Sequence, residues 1–193
     1  MNIGIDIDGV IFDSETYFRC FAEIYDIDSG INSGIVKKDE VRVQRRYDWT
    51  YEQFATYVRD VMLPLEKEVP YMAGALEVIT KLKEMGHRLV IISRRGSTGI
   101  YEEIEIANKR FAEAGLEFDA VYMDVGSKLD VCVDEKIDVM IDDLDRTIDE
   151  LSDNGIDCLY FICPDSREIK KDNVTPVTNW GEIYRYFIEK QDN

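Results

Sequence analysis

Apolar residues fall into two alternating patterns along this chain. Short, nearly unbroken runs occur at residues 2–7, 88–93, 120–123, 139–141 and 158–162. Continuous rather than alternating apolar character predicts parallel strands covered on both faces. Between the runs, apolar residues recur at the helical period: Ala75, Ile79 and Leu82; Ile104, Ala107 and Phe111; Leu144, Ile148 and Leu151. Gly86, Gly115 and Gly155 stand where C-terminal caps belong. Asn179 with Glu182 three residues on predicts the start of a last helix carrying Ile183 and Phe187. Strand alternating with helix predicts an α/β fold: a Rossmann-like parallel sheet of about five strands with right-handed crossovers.

One segment breaks the alternation. About 60 residues separate the first strand from the helix near Ala75, too many for a plain crossover. Tyr17, Phe21 and Ile24 share a helical spacing there, and Thr50-x-x-Gln53 reads as a capping box ahead of Phe54, Tyr57 and Val61. Residues 14–75 hold ten of the 21 aromatic residues, so they predict a small helical cap with its own core. The expected division is a core of residues 1–13 and 76–193 and a cap of residues 14–75. Insertion after the first strand sets the cap over the carboxyl edge of the sheet, where α/β proteins bind ligands.

Charge narrows the partners. Forty acidic against 23 basic residues give a formal charge of −17, which repels nucleic-acid backbones and anionic membranes. A nucleic-acid polymer and a membrane are therefore not expected, whereas a small phosphorylated molecule in a locally positive pocket is compatible. No apolar stretch reaches the roughly 20 residues of a membrane span. The N-terminus has no basic, signal-like region. Four dispersed cysteines and one histidine give no zinc pattern and suggest reduced thiols. The expectation is a cytoplasmic protein, monomeric or homodimeric.

The candidate chemistry lies at strand ends. Asp6 and Asp8 close the first run, and a period of two puts them on one side, roughly 6–7 Å apart. Gly9 follows and permits a tight turn. A second pair, Asp142 and Asp143, closes the fourth run. Either pair alone is equally well read as helix capping or a solvated turn. Two pairs at one edge are costly unless a cation neutralises them, and oxygen donors suit Mg²⁺. Ser93 ends the second run and Lys128 follows the third, where a hydroxyl and an ammonium can hold an anion. Singly, each is more often structural or solvated; their order is the informative feature.

Asp-x-Asp-Gly-Val, then Ser, Lys and Asp-Asp, each after its own strand, resembles the haloacid dehalogenase (HAD) superfamily of phosphohydrolases over nearly the whole chain. The early cap, Met140 to Asp143 and the closing Asn179 to Ile183 resemble its type-C 5′-nucleotidase branch, which includes the 5′(3′)-deoxyribonucleotidases. Ile11 to Glu15 looks instead like phosphoglycolate phosphatases and β-phosphoglucomutases. The resemblance implies a phosphomonoester hydrolase in which Asp6 is the nucleophile, forming an aspartyl-phosphate, and Asp8 the general acid and base. It implies Mg²⁺ on Asp6, the Asp8 carbonyl and Asp142, with Asp143 as a further ligand or the support of one. Ser93, Arg94 and Lys128 would bind the phosphoryl group. The expected substrate is a nucleoside monophosphate, with Tyr47 and Trp49 as cap residues able to stack on a base, although aromatics in a small cap more often form its core.

In the deoxyribonucleotidases the second motif is followed by a Ser and a Pro, whereas here Ser93 precedes Arg94-Arg95-Gly96, and either arginine could reach phosphate or pair at the surface. Arg42, Arg45 and Arg46 form the cap's one basic cluster, and His87 reads as structural. The alternatives are a phosphatase of a sugar phosphate or phosphoglycolate, a phosphomutase, and, outside enzymes, a receiver-like phospho-acceptor or a binding protein.

Overall fold

The computed structural model describes residues 1–38, 40, 42–96 and 102–191. Six parallel strands form one sheet: β1 (Asn2–Ile5), β2 (Arg88–Ile92), β3 (Ala120–Tyr122), β4 (Val139–Asp142), β5 (Asp157–Phe161) and β6 (Val174–Val177), in the order β3-β2-β1-β4-β5-β6. The chain winds outward from β1 through β2 to β3, then crosses back to β4 on the other side of β1. β1 and β4 therefore flank the switch point, with Ile3, Gly4 and Ile5 level with Val139, Met140 and Ile141.

Helices cover both faces. Ile3, Ile5, Leu89 and Ile91 pack with residues of α5 (Ala75–Glu84), α6 (Glu102–Glu113) and α9 (Trp180–Gln191). Val90, Ile92, Met140 and Cys158 pack with α7 (Lys128–Asp134) and α8 (Asp145–Asp153). Gly86, Gly115 and Gly155 all take positive φ at helix ends, as their positions predicted. The Asn179 side chain accepts from the Glu182 amide at 3.1 Å and so caps α9.

Two expectations about the sheet need correction. The sheet has six strands rather than about five. Val174-Thr175-Pro176-Val177 has no continuous apolar run because β6 is an edge strand, where proline's missing donor costs no ladder bond. β3, at the opposite edge, is not covered on both faces: Val121 and Tyr122 are exposed.

The inserted segment is helical throughout its regular parts. α1 (Ser14–Asp28) is followed by α2 (Val43–Arg46) and α3 (Tyr51–Tyr57), which runs through a π-helical stretch (Val58–Met62) into α4 (Leu63–Leu65) and a 3₁₀ turn (Glu66–Glu68). The predicted capping box forms, with Thr50 and Gln53 bonding each other's backbone amides. The buried stripe of α1 is Phe18 and Ala22, whereas Ile24 of the predicted stripe is exposed; aromatics on several sides of this helix obscure its inner face. Two paired linkers join the segment to the sheet. Asp13 donates to the Pro70 carbonyl at 2.9 Å and Met72 to the Ile11 carbonyl at 2.8 Å. Among the described residues, no helix is long and apolar enough to cross a membrane.

Candidate active site

The end of β1 and the end of β4 place three carboxylates together. The Asp6 amide still donates to the Ile141 carbonyl at 3.0 Å, so β1 and β4 remain locked one residue past β1. Asp6, Asp142 and Asp143 each offer an oxygen, all lying within 4.8 Å of one another. Lys128, in the first turn of α7, reaches between two of them: Nζ lies 2.7 Å from Asp6 Oδ2 and 2.6 Å from Asp142 Oδ2. Ser127 accepts from the Asp130 amide and caps that helix, fixing where Lys128 begins. Ser93, at the end of β2, is buried and its Oγ accepts from the Arg95 amide. Asp6, Asp8, Ser93, Arg94, Lys128 and Asp143 all line one cavity of about 720 Å³. The structure thus brings together the four strand-end motifs.

The electrostatics leave room for a cation. Burial pushes Asp6 up to about 6, Lys128 opposing and Asp142 assisting the shift. Burial and the charges of Asp142 and Asp6 raise Asp143 well above the usual carboxyl range. Burial alone would depress Lys128, but Asp142 and Asp6 outweigh it and hold its ammonium protonated. One lysine therefore faces three acids. Asp6 Oδ1 is buried without any hydrogen-bond partner, a costly state for a carboxylate oxygen. An all-oxygen, acidic donor set with one unpartnered buried oxygen fits Mg²⁺.

This arrangement sets a pH dependence. Burial also raises Glu15 and Glu103, both on the cavity wall, to about 7. A carboxyl group that binds its proton more tightly folded than unfolded adds stability at low pH and loses it as pH rises through the folded value. In metal-free protein, the Tm is expected to fall between about pH 5 and pH 8, and Mg²⁺ should recover part of the loss at pH 8. Thermal melts with and without Mg²⁺ check this; a Tm rising over that window without metal contradicts it.

Gly9 is required twice over. Its φ is +72°, and a Cβ there would lie 2.2 Å from Asp143 Oδ2. The Gly9 amide is held by Ser14 Oγ at 3.1 Å, so Ser14 tightens the turn after Asp8. Gly9→Ala is expected to displace Asp143 and to cost Mg²⁺ affinity at least about tenfold, as losing one donor typically does. Calorimetric Mg²⁺ titration reads this directly.

Some predicted residues stand elsewhere. Tyr47 and Trp49 do not line the cavity; they stack on each other with ring centroids 4.4 Å apart. Their polar atoms are committed, Tyr47 to Glu23 and Trp49 to Asp26. Burial would raise Asp26, but bonds from Trp49, Gly34 and Ser33 outweigh it and hold the carboxyl below its usual value. These two aromatics pack within the inserted segment. The aromatic faces on the cavity belong to Phe18, Tyr51 and Phe54. Trp180 is also structural: it is fully buried and donates to the Val10 carbonyl at 2.8 Å. His87 packs against Phe187, as a structural residue should.

Arg95 is the main residue that sequence reasoning left undecided. It is buried, not at the surface, and its guanidinium bonds both Asp8 carboxylate oxygens, Nε reaching Oδ2 at 3.2 Å. It also pairs with Glu66, a fully buried acid in the 3₁₀ turn that leads out of the cap. Arg95 thus ties the cap to Asp8. Its only signal in the chain was its place just beyond the second strand. Arg94 stands half-buried on the cavity wall. A receiver-like geometry, in which an Asp at the end of β3 accepts the phosphoryl group, does not form: Asp124, the acid that follows β3, is absent from the cavity lining, and Lys128 serves acids at the ends of β1 and β4.

No family model and no curated protein sequence matches the chain. Solved structures do. A haloacid dehalogenase-like hydrolase from Streptococcus pneumoniae is 15% identical over 96% of this chain and 97% of its own, with a TM-score of 0.61. CbbY from Rhodobacter sphaeroides, in complex with phosphate, is 14% identical over 94% and 95%, with a TM-score of 0.61. A HAD-superfamily hydrolase of subfamily IA from Geobacter sulfurreducens is 16% identical over 96% and 98%, with a TM-score of 0.59. At these identities the likeness is one of fold, and the fold is that of the HAD-superfamily hydrolases.

Proposed function

We propose that this protein is a Mg²⁺-dependent phosphomonoester hydrolase of the HAD superfamily, acting on a small phosphorylated metabolite. The observation that carries the reading is the Asp6 carboxylate. It stands at the switch point, neutralised on one oxygen by Lys128 and left unpartnered on the other, among two further acids. A bare carboxylate would repel a phosphate ester; Lys128 lowers that barrier, and a cation on the acidic cluster would lower it further. When bound, Mg²⁺ would be held by Asp6, the Asp8 carbonyl, Asp142 and Asp143, and would supply positive charge to the phosphoryl oxygens.

The chain's own residues then divide the work. Asp6 attacks phosphorus as the ester P–O bond breaks, and Asp8 gives its proton to the departing alcohol oxygen. Asp8 next takes a proton from water, whose oxygen attacks phosphorus and frees Asp6 and inorganic phosphate. Ser93 and Lys128 hold the phosphoryl oxygens through both steps. The residues Phe18, Tyr51, Phe54 and Met62 of the inserted segment line the cavity and offer apolar surface to the substrate's non-reacting part.

A nucleoside monophosphate remains one substrate reading, supported by Tyr51 and Phe54 as aromatic faces on the cavity rather than by Tyr47 and Trp49. Sugar phosphates and phosphoglycolate are the other, supported by the fold likeness to CbbY, a mutant of which has been seen in complex with xylulose-1,5-bisphosphate. The test is phosphate release from nucleoside monophosphates, sugar phosphates and phosphoglycolate, with and without Mg²⁺. Mg²⁺-dependent release from at least one class is expected. No release from any class, with Mg²⁺ bound, overturns the reading.

A further inference from the structure

Five arginines line the cavity. Arg59 is paired with Asp60 and Arg95 with Asp8 and Glu66, which leaves three from separate segments: Arg42 just before α2, Arg94 after β2, and Arg146 in the first turn of α8. Each could have been neutralised locally, since acids outnumber basic residues 40 to 23 in this chain. Instead the nearby acids are committed elsewhere. Asp145, next to Arg146, pairs with Arg167 at 3.0 Å. Glu40, two residues before Arg42, pairs with Arg45 at 3.8 Å. Asp165 is shared by Arg19 and Arg46. Among the described residues, no carboxylate lies within ion-pair distance of the side chains of Arg42, Arg94 or Arg146.

We propose that Arg42, Arg94 and Arg146 form a second anion site in the cavity, and that the substrate carries a further phosphate or carboxylate at the end remote from the transferred phosphoryl group. This rests on the phosphomonoesterase reading above. Three guanidinium groups facing one cavity repel each other unless an anion joins them. Partial burial and the positive charges of Arg42, Arg94 and Arg45 pull Arg146 below its usual value, the signature of that repulsion. Glu15, on the same wall, offsets it only in part, because burial and the Asp8 charge push it up to about 7. The cavity therefore holds Asp6, Asp8, Asp143 and Lys128 at the strand ends, and on its wall three arginines without an ion-pair partner, which Glu15 and Asp145 offset only from a distance. A ligand with one anion satisfies only the strand ends. A ligand with two would also gain charge-assisted, bidentate bonds from the arginines. The same geometry explains why the arginine after Ser93 is doubled: Arg95 serves Asp8, and Arg94 is left for the ligand.

The test uses matched pairs differing by one anion: fructose 6-phosphate with fructose 1,6-bisphosphate, and glycerol 3-phosphate with 3-phosphoglycerate. In the wild type with Mg²⁺, the second-anion member of at least one pair should be favoured about tenfold or more in kcat/KM, through KM, as one charged contact typically yields. Which pair shows it identifies phosphate or carboxylate. Arg146→Gln and Arg42→Gln should each erase most of that ratio. A rim that only steers anions would leave the ratio near one in both pairs, and that result overturns the inference while the phosphatase reading stands. If no member is hydrolysed, the wider panel above decides the phosphatase reading, and calorimetry on Asp6→Asn with Mg²⁺ decides the second site separately. Tighter binding of a second-anion member, lost on adding Arg146→Gln, supports the site; equal binding or none overturns it.

Discussion

Asp6→Asn is expected to lower kcat by at least about 10⁴-fold, since loss of a nucleophile removes the pathway rather than one contact within it. Asparagine keeps the shape of the side chain and can still accept from Lys128, so the site should stay assembled. Lys128 also retains Asp142 at 2.6 Å. The variant should be more stable than the wild type in metal-free solution at pH 8, because it removes a buried carboxyl whose pKa stands at about 6. The expected result is thus an inactive protein with a raised metal-free Tm. Turnover within tenfold of the wild type would remove Asp6 from its role. Collapse of the fold would instead mark the Asp6–Lys128 pair as structural, a possibility that Asp6→Glu, with its displaced carboxylate, would separate by remaining folded and slow.

Arg95→Ala is expected to cost about 3–5 kcal/mol, the usual penalty for removing one partner of a buried ion pair. Glu66 would be left buried without its counter-charge, and Asp8 would lose both guanidinium bonds. For a domain of this size the loss corresponds to a fall in Tm of about 10 °C. Arg95→Lys keeps the charge but cannot span two carboxylates at once. It should remain folded, recover part of the Tm, and still show a reduced kcat with KM little changed, because Asp8 is no longer held. An unchanged kcat in Arg95→Lys would confine Arg95 to a structural role.

The fold was legible where local chemistry repeats. Runs of Val, Ile and Leu at β2 and β4, glycines at helix ends and the Thr50–Gln53 box are short-range signals, and the structure contains each of them. β6 was not legible because an edge strand with Pro176 has no buried run to announce it. The inner face of α1 was not legible because Tyr17, Phe18, Phe21 and Tyr25 crowd several sides of one helix; Phe18 is buried, Tyr25 packs against Tyr57 and Trp49, and Tyr17 and Phe21 meet each other. The site divides in the same way. Asp6, Asp8, Ser93, Lys128, Asp142 and Asp143 stand at strand ends and so reach one edge by topology alone. Arg95 joins Asp8 and Glu66, 87 and 29 positions away, and no periodicity encodes such a pairing. Tyr47 and Trp49 carry the right chemistry for stacking, but their neighbours Glu23 and Asp26 draw them into the packing of the inserted segment.

The covalent step is the centre of the account, and it can be trapped. Wild-type protein turning over a hydrolysed phosphomonoester with Mg²⁺ should, after acid quench, gain the mass of one phosphoryl group. That adduct should be labile to hydroxylamine, map to the peptide containing Asp6, and be absent from Asp6→Asn. Steady phosphate release with no adduct in the wild type, and with activity retained in Asp6→Asn, would contradict it.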